Sequence, residues 1–276
     1  MRSTLFSALL LAALPVLAQL PAPNKAGVSA GHDVLRAKNL EASNKFWQGL
    51  GGVPAQFAGR LNLTKYPGVL LLVLGPGGGR RGAAPANPAP PPELLGTEGS
   101  SIDFIGFSVK DLKASLAKWA ADGITPLPGG SSKQVFLMSP DKVKVRITED
   151  KSQAAPVEAG TIKMMVPNVA EAEAWYAKNF GAEMIKRHGE KVADIPGSDI
   201  LFEQAKGPVA PTMGRAFDRI GLEVVGLEAF CKKLEANGVK LNNEYRKNEQ
   251  MNAAFVVLQD PWGTLIEMSE GLSAVK

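Results

Sequence analysis

Cysteine occurs once in 276 residues, as Cys231, and histidine twice, as His32 and His188. A single cysteine excludes an internal disulfide framework, and two histidines with one cysteine cannot assemble a Cys/His zinc cluster. Charge of one sign is also scarce. Lys+Arg 31 against Asp+Glu 27 leaves a net charge of +4, and the basic residues are scattered in twos rather than gathered into a stripe, which argues against a nucleic-acid partner. Beyond the first twenty residues no apolar run approaches the roughly 20 residues that span a bilayer. What remains is ordinary globular composition, 45% hydrophobic and 21% charged, enough for one large or two medium domains. Cys231 falls on a helix predicted from Leu227 and reads as core filler.

The first segment reads as an address. Arg2 provides a basic start, Leu5 to Leu17 an apolar stretch interrupted by Pro15, and Val16 and Ala18 small residues before a cleavage point. This pattern predicts a signal peptide over 1–18 and a periplasmic or secreted product with no membrane attachment after cleavage.

The chain then echoes itself. Ile105-Gly106-Phe107-Ser108-Val109-Lys110-Asp111-Leu112 is matched by Ile220-Gly221-Leu222-Glu223-Val224-Val225-Gly226-Leu227, and looser copies begin at His32 and Thr161. Each copy leads into a helical pattern that stops at a glycine, Gly51, Gly123, Gly181 or Gly238. Asn39, Asp111 and Asn168 sit at N-cap positions, with Glu171 placed for a capping box. Short β-type runs follow each helix; in the last copy they are Val239 to Asn243, Ala253 to Leu258 and Thr264 to Met268. The unit therefore reads as strand, helix, then three strands, four times over. A Gly/Pro-rich linker, 75–100, separates the first two units, and Glu149 to Gly160 divides the chain into segments 28–150 and 158–271. Gly77, Gly79 and Gly82 satisfy a dinucleotide-type G-x-G-x-x-G, but the Ala-Ala-Pro-Ala-Asn-Pro that follows cannot open the required helix.

A βαβββ unit that opens like His32-Asp-Val-Leu-Arg-Ala-Lys-Asn-Leu and closes like Asp260-Pro-Trp-Gly-Thr-Leu-Ile-Glu267 resembles the vicinal oxygen chelate superfamily, the group of glyoxalase I, bleomycin-resistance proteins and extradiol dioxygenases. The resemblance implies an α+β fold in which four βαβββ modules pair into two cup-shaped mixed β-sheets flanked by helices. It also implies metal ligands on the first and last strands of a unit. The first-strand positions hold His32, Phe104, Thr161 and Arg219; the last-strand positions hold a residue near Leu72, Arg146, a residue near Leu201 or Phe202, and Glu267. Only His32 and Glu267 are conventional donors, and a guanidinium in one position adds repulsion to a missing ligand.

Parity assigns the faces without the family. Ile220, Leu222, Val224, Ile266 and Met268 form an apolar side that packs on helices. The opposite, cup side carries His32, Val34, Arg36, Phe104, Gly106, Ser108, Thr161, Lys163, Met165, Arg219 and Glu267. The units can pair first with second and third with fourth, or first with fourth and second with third. The second arrangement gathers His32, Arg219 and Glu267 in one cup, where Arg219 neutralises Glu267, and makes the other cup basic through Lys144, Arg146 and Lys163, with no acid on the assigned cup faces. Bland roles stand beside these: a hydrogen-bonded His32, basic side chains facing solvent, aromatic pairs Phe46-Trp47 and Trp175-Tyr176 in the core, and His188 in a surface turn.

The expected function is small-molecule binding, with Arg36, Phe104, Lys144, Arg146 and Lys163 lining the ligand site and no cofactor. The alternative is a glyoxalase-like lyase or ring-cleaving dioxygenase, in which His32, Glu267 and Arg219 act and His32 and Glu267 hold iron, manganese, nickel or zinc. Four units can complete both cups within one chain, which makes a monomer sufficient. A third possibility is a structural module whose cups are filled by side chains.

Overall fold

The computed structural model describes residues 20–78 and 93–275. The predicted signal peptide and the linker residues 79–92, with Gly79 and Gly82, lie outside the described residues.

Strands and helices succeed one another in four groups. The first contains β1 (Val28–Ala30), β2 (His32–Arg36), α1 (Leu40–Gly49), β3 (Val53–Phe57), β4 (Leu61–Tyr66) and β5 (Val69–Leu74); the second β6 (Ile102–Val109), α2 (Leu112–Ala121), β7 (Gln134–Met138) and β8 (Lys144–Glu149). The third contains β9 (Val157–Val166), α3 (Val169–Phe180), β10 (Glu183–Arg187), β11 (Glu190–Ile195) and β12 (Ser198–Gln204); the fourth β13 (Phe217–Val224), α4 (Leu227–Ala236), β14 (Lys247–Asn248), β15 (Ala253–Gln259) and β16 (Leu265–Glu270). Asn39, Asp111 and Asn168 cap α1, α2 and α3, accepting from the amides of Ala42, Ala114 and Glu171 at 3.0, 2.8 and 3.3 Å. Helix α3 stops where Gly181 turns left-handed at φ 69.

Two details depart from the sequence pattern. Only two strands follow α2, because Pro126 and Pro128 interrupt the stretch where the first would run and offer no N–H to a neighbour. Residues 239–243 form no strand of their own; Leu241 makes an isolated bridge to Leu258, and the edge strand β14 comes later. Residues 157–160 of the expected linker already belong to β9.

The sheets pair the first unit with the fourth and the second with the third. One sheet runs β14-β15-β16-β13-β2-β5-β4-β3, with β1 also on β13, and the other β10-β11-β12-β9-β6-β8-β7. Each sheet therefore takes one unit from segment 28–150 and one from 158–271. Within a unit the first strand lies parallel to the last, and between paired units the two first strands are antiparallel.

The face assignment holds across both sheets. Leu35, Ile105, Phe107, Ile162, Met164, Ile220, Leu222, Ile266 and Met268 enter one large core with the helices, including the buried Cys231. That core joins the two sheets: Trp47 of α1 stacks at 6.2 Å on Phe107 of β6, and Phe180 of α3 at 6.2 Å on Phe230 of α4. Phe46, Trp47 and Tyr176 are buried in it, and Trp175 packs against it. The Asp260-Pro-Trp-Gly turn is tied to the same core. Asp260 accepts from the Tyr176 hydroxyl at 3.0 Å and from the amides of Trp262 and Thr264 at 2.9 and 2.8 Å.

One polar group lies where the pattern calls for an apolar one. Asp33 shares the core side of β2 with Leu35 and borders a water-sized void lined by Leu71, Ile105, Phe107 and Ile162. It accepts one long bond, 3.3 Å, from the Gly221 amide. Burial pushes its carboxyl up to about 7, against smaller lowering effects from that amide and from His32. The folded state thus keeps a proton that the unfolded chain releases near pH 4, so stability falls as pH rises from about 4 to about 7 and is flat beyond. Asp33→Asn is expected to remove this slope and to stabilise the protein at pH 8 by roughly 4 kcal/mol, with little effect at pH 4. Urea unfolding at the two pH values checks it; equal effects at both would show that Asp33 is ionised in the fold.

Candidate functional site

The shared register explains where the site residues fall. Val34 lies beside Leu72, Gly106 beside Arg146, Lys163 beside Leu201 and Gly221 beside Glu267. The four last-strand positions are therefore equivalent. Leu201 packs with Phe104 on the cup side and Phe202 against the main core.

In the cup of the first and fourth units, His32, Arg219 and Glu267 meet. His32 Nε2 lies 2.9 Å from Glu267 Oε1, and Arg219 Nη1 donates to Glu267 Oε2. The register slips between Phe217 and Arg219, and the extra residue of this bulge, Asp218, is buried. It holds Arg219 at 2.9 Å and Arg36 at 3.2 Å. Arg36 is thus locked in an ion pair of this cup and does not join the other four residues expected to line a ligand site. Burial alone would raise the Glu267 carboxyl, but the hydrogen bond and charge of His32, with the Arg219 guanidinium, outweigh it and hold it down at about 2. His32 Nδ1 is buried without a hydrogen-bond partner. The rest of the cup is apolar, with Phe57, Leu63, Leu70, Ala253 and Leu272 in one cluster and Phe255 edge-on to His32 at 6.1 Å.

The residues present do not fit a resident divalent metal. His32 and Glu267 are two donors, the nitrogen of His32 that faces Glu267 is already engaged, and the next position is a cation. Among the described residues no group of three or more His, Cys, Asp and Glu side chains is disposed to hold a metal ion, where three or four are wanted.

The cup of the second and third units brings together Phe104, Lys144, Arg146 and Lys163. The Arg146 guanidinium lies 4.7 Å over the Phe104 ring, Lys163 Nζ 5.7 Å from the same ring, and Lys144 Nζ 4.8 Å from Phe136. The expected excess of positive charge is not there. Arg146 is paired with Glu190 at 2.9 Å, Lys163 with Glu203 at 2.5 Å and Lys144 with Asp103 at 3.3 Å. Glu190 lies on a hairpin strand and Asp103 beside Phe104 on β6, both away from the cup-facing positions of first and last strands, whereas Glu203 shares the cup face of β12 with Leu201. Arg187, also from the hairpin, contacts Asp199 and Asp194. A cavity of about 670 Å³ opens here, lined among others by Arg146, Thr161, Arg187, Glu190, Ser198 and Asp199. His188, in the β10–β11 turn at φ 50, stands at its rim, 3.6 Å from Asp150.

Residues 159–268 match the family described as the Glyoxalase/Bleomycin resistance protein/Dioxygenase superfamily. That match lies within the third and fourth units and spans less than half of the chain. Its whole-chain fold is shared with glyoxalase I from Zea mays, at 13% identity, TM-score 0.65, covering 89% of this chain and 93% of that one. A glyoxalase I mutant from the same plant aligns at 12% identity, TM-score 0.68, over 90% and 95% of the two chains. A putative dioxygenase from Bacillus subtilis aligns at 12% identity, TM-score 0.63, over 93% and 88%. No curated protein matches in sequence. At these identities the likeness of this chain to the maize and Bacillus structures is one of fold.

The Glu267 network stabilises the fold above about pH 4.5 and loses that contribution as pH falls through about 2, since its folded carboxyl is depressed from 4.5 to about 2. Arg219→Met leaves a buried carboxylate short of its cation and is expected to cost about 3–5 kcal/mol at pH 7, the cost shrinking at pH 2. Chemical unfolding of both proteins at the two pH values reads it, and a loss below 1 kcal/mol would show that the ion pair is dispensable.

Proposed function

We propose that this protein binds a small organic anion with a flat, aromatic body, without a metal, in the cup of the second and third units. One observation carries the reading. Arg146 is stacked on Phe104 beside the cavity, its Nε is buried without a hydrogen-bond partner, and its carboxylate partner Glu190 sits on a hairpin with a side chain 46% exposed. A ligand carboxylate can displace Glu190 into water and take the guanidinium in its place, because the planar fork of arginine matches a carboxylate and its stacked face is already ordered. The lining mixes hydroxyls with both charges, and the Phe104 ring lies behind Arg146 and supports its guanidinium, an arrangement built for orientation as much as for affinity. The basic and apolar start of the sequence supports an exported binding protein.

Metal chemistry is not part of this reading, because the equivalent positions of the cup are Phe104, Arg146, Thr161 and Leu201. Calorimetric titration with benzoate, phenylacetate and phenylphosphate at fixed ionic strength tests it, together with elemental analysis of protein purified without chelator. The expected result is saturable binding of at least one anion, weakened about tenfold or more by Arg146→Gln, the loss of one charge-assisted bond, and no metal near one per chain. Stoichiometric iron, manganese, nickel or zinc, or binding indifferent to Arg146→Gln, would overturn it.

A further inference from the structure

The first cup holds a second, different set of features. By parity Glu223 faces this cup with Arg219 and Gly221, and its carboxylate grips the segment that follows β16. Glu223 Oε1 accepts from the amides of Gly271, Leu272 and Ser273 at 2.8, 2.9 and 3.4 Å, while Oε2 accepts from the Ser269 hydroxyl at 2.8 Å. Gly271 turns at φ 113, conformational space that favours glycine, and drops Leu272 into the cup. There Leu272 is buried among Phe57, Leu63, Leu70 and Ala253, with Val275 and Phe255 packed against them. Leu272 and Val275 therefore occupy the space that an apolar guest would need.

A lone cation lies in the same cup. Lys65 of β4 stands directly opposite Leu70 of β5, which in turn stands opposite His32 of β2, so the three side chains form one row on the cup face. Lys65 is only 8% exposed. The other two cations of this cup are accounted for, Arg219 by Glu267 and Asp218, Arg36 by Asp218. Lys65 makes no ion pair or side-chain hydrogen bond among the described residues. Its ammonium has no anion among the described residues while its stem is covered by the cup wall, and the group that complements this arrangement is a carboxylate arriving with an apolar body.

We propose that the first cup is a latched site for a monocarboxylic acid with an apolar chain or ring: its carboxylate meets Lys65, and its body displaces Leu272 and Val275 of the segment held by Glu223. The latch is short, hinged at a glycine and fastened mainly to one carboxylate, so it can leave as a unit without disturbing the sheet. Affinity for the acid is lowered by the work of opening, and weakening the latch must raise it.

The test is calorimetric titration of the full chain with decanoate at pH 7.5, with near-ultraviolet circular dichroism to confirm native packing. Leu272→Asp is expected to tighten decanoate binding by about tenfold, as removal of a competing closed state does, and adding Lys65→Met is expected to abolish the gain. Glu223→Gln, which loosens the latch but keeps Leu272, provides the same reading should Leu272→Asp fail to fold. Absence of decanoate binding in both natively packed variants, or binding that survives Lys65→Met, overturns the proposal. Binding that disappears with Arg146→Gln belongs to the second cup and also overturns it, leaving the anion reading of that cup intact.

Discussion

The antiparallel seam between β2 and β13 is the constraint on which the rest of the structure depends. It joins residues nearly two hundred positions apart, as in the bond from the Gly221 amide to Asp33, and it closes so tightly that a Cβ on Gly221 would stand 1.3 Å from the His32 carbonyl oxygen. Gly31, where the first strand breaks into β1 and β2, is under a similar restriction, with the Glu223 amide nitrogen 2.8 Å from where its Cβ would lie. Glycine at these places is a condition of assembly. Once the seam is closed, parallel pairing carries Glu267 next to Gly221 and Leu70 next to His32, and the ionic floor of the first cup follows from backbone geometry.

The two cups have the same scaffold and opposite contents. In the first, opposite charges are buried in a closed chain from His32 through Glu267, Arg219 and Asp218 to Arg36, under apolar side chains. Such a chain is rigid, because each inner member is held between two partners that offset its desolvation together. In the second, cations lean on aromatic faces and their acids stand nearer to water, so the pairs can open. The difference lies in solvent access more than in residue type. A carboxylate shielded from water commits its arginine, whereas one that reaches water leaves its arginine open to exchange.

Much of the architecture was legible because strand parity and helix caps are local signals. The alternation of Ile220, Leu222 and Val224 against Arg219, Gly221 and Glu223 names both faces of β13, and Asn39, Asp111 and Asn168 mark three helix starts by side-chain chemistry. The pairing of units was not legible, since it depends on which first strands form seams. Three site features escaped for related reasons. Glu190 neutralises the second cup from a hairpin strand, and Glu203 from the face of β12 that packing of Leu201 on Phe104 identifies as the cup side, so the charge read from the other strand faces overstated its basicity. Asp218 owes its place to a bulge, which breaks the parity that sequence reading relies on. Asp33 sits on the apolar side of its strand, and a pattern that is right for its neighbours gives no warning of it. Lys65 was readable in principle, as a lysine in the alternating run of β4 that shares a face with Leu61 and Leu63.

The nested order of units also shapes how the chain reaches its fold. The second and third units are consecutive and can complete their sheet once β12 has left the ribosome, with mostly local connections. The first unit is synthesised earliest yet finds its partner last, when β13 emerges. Until then β2 presents an unpaired edge with apolar Val34 and Leu35, the kind of surface that recruits strands from other molecules. The seam that organises the fold therefore closes a loop of most of the chain, the kind of long-range contact whose cost is set by topology rather than by the strength of any one bond.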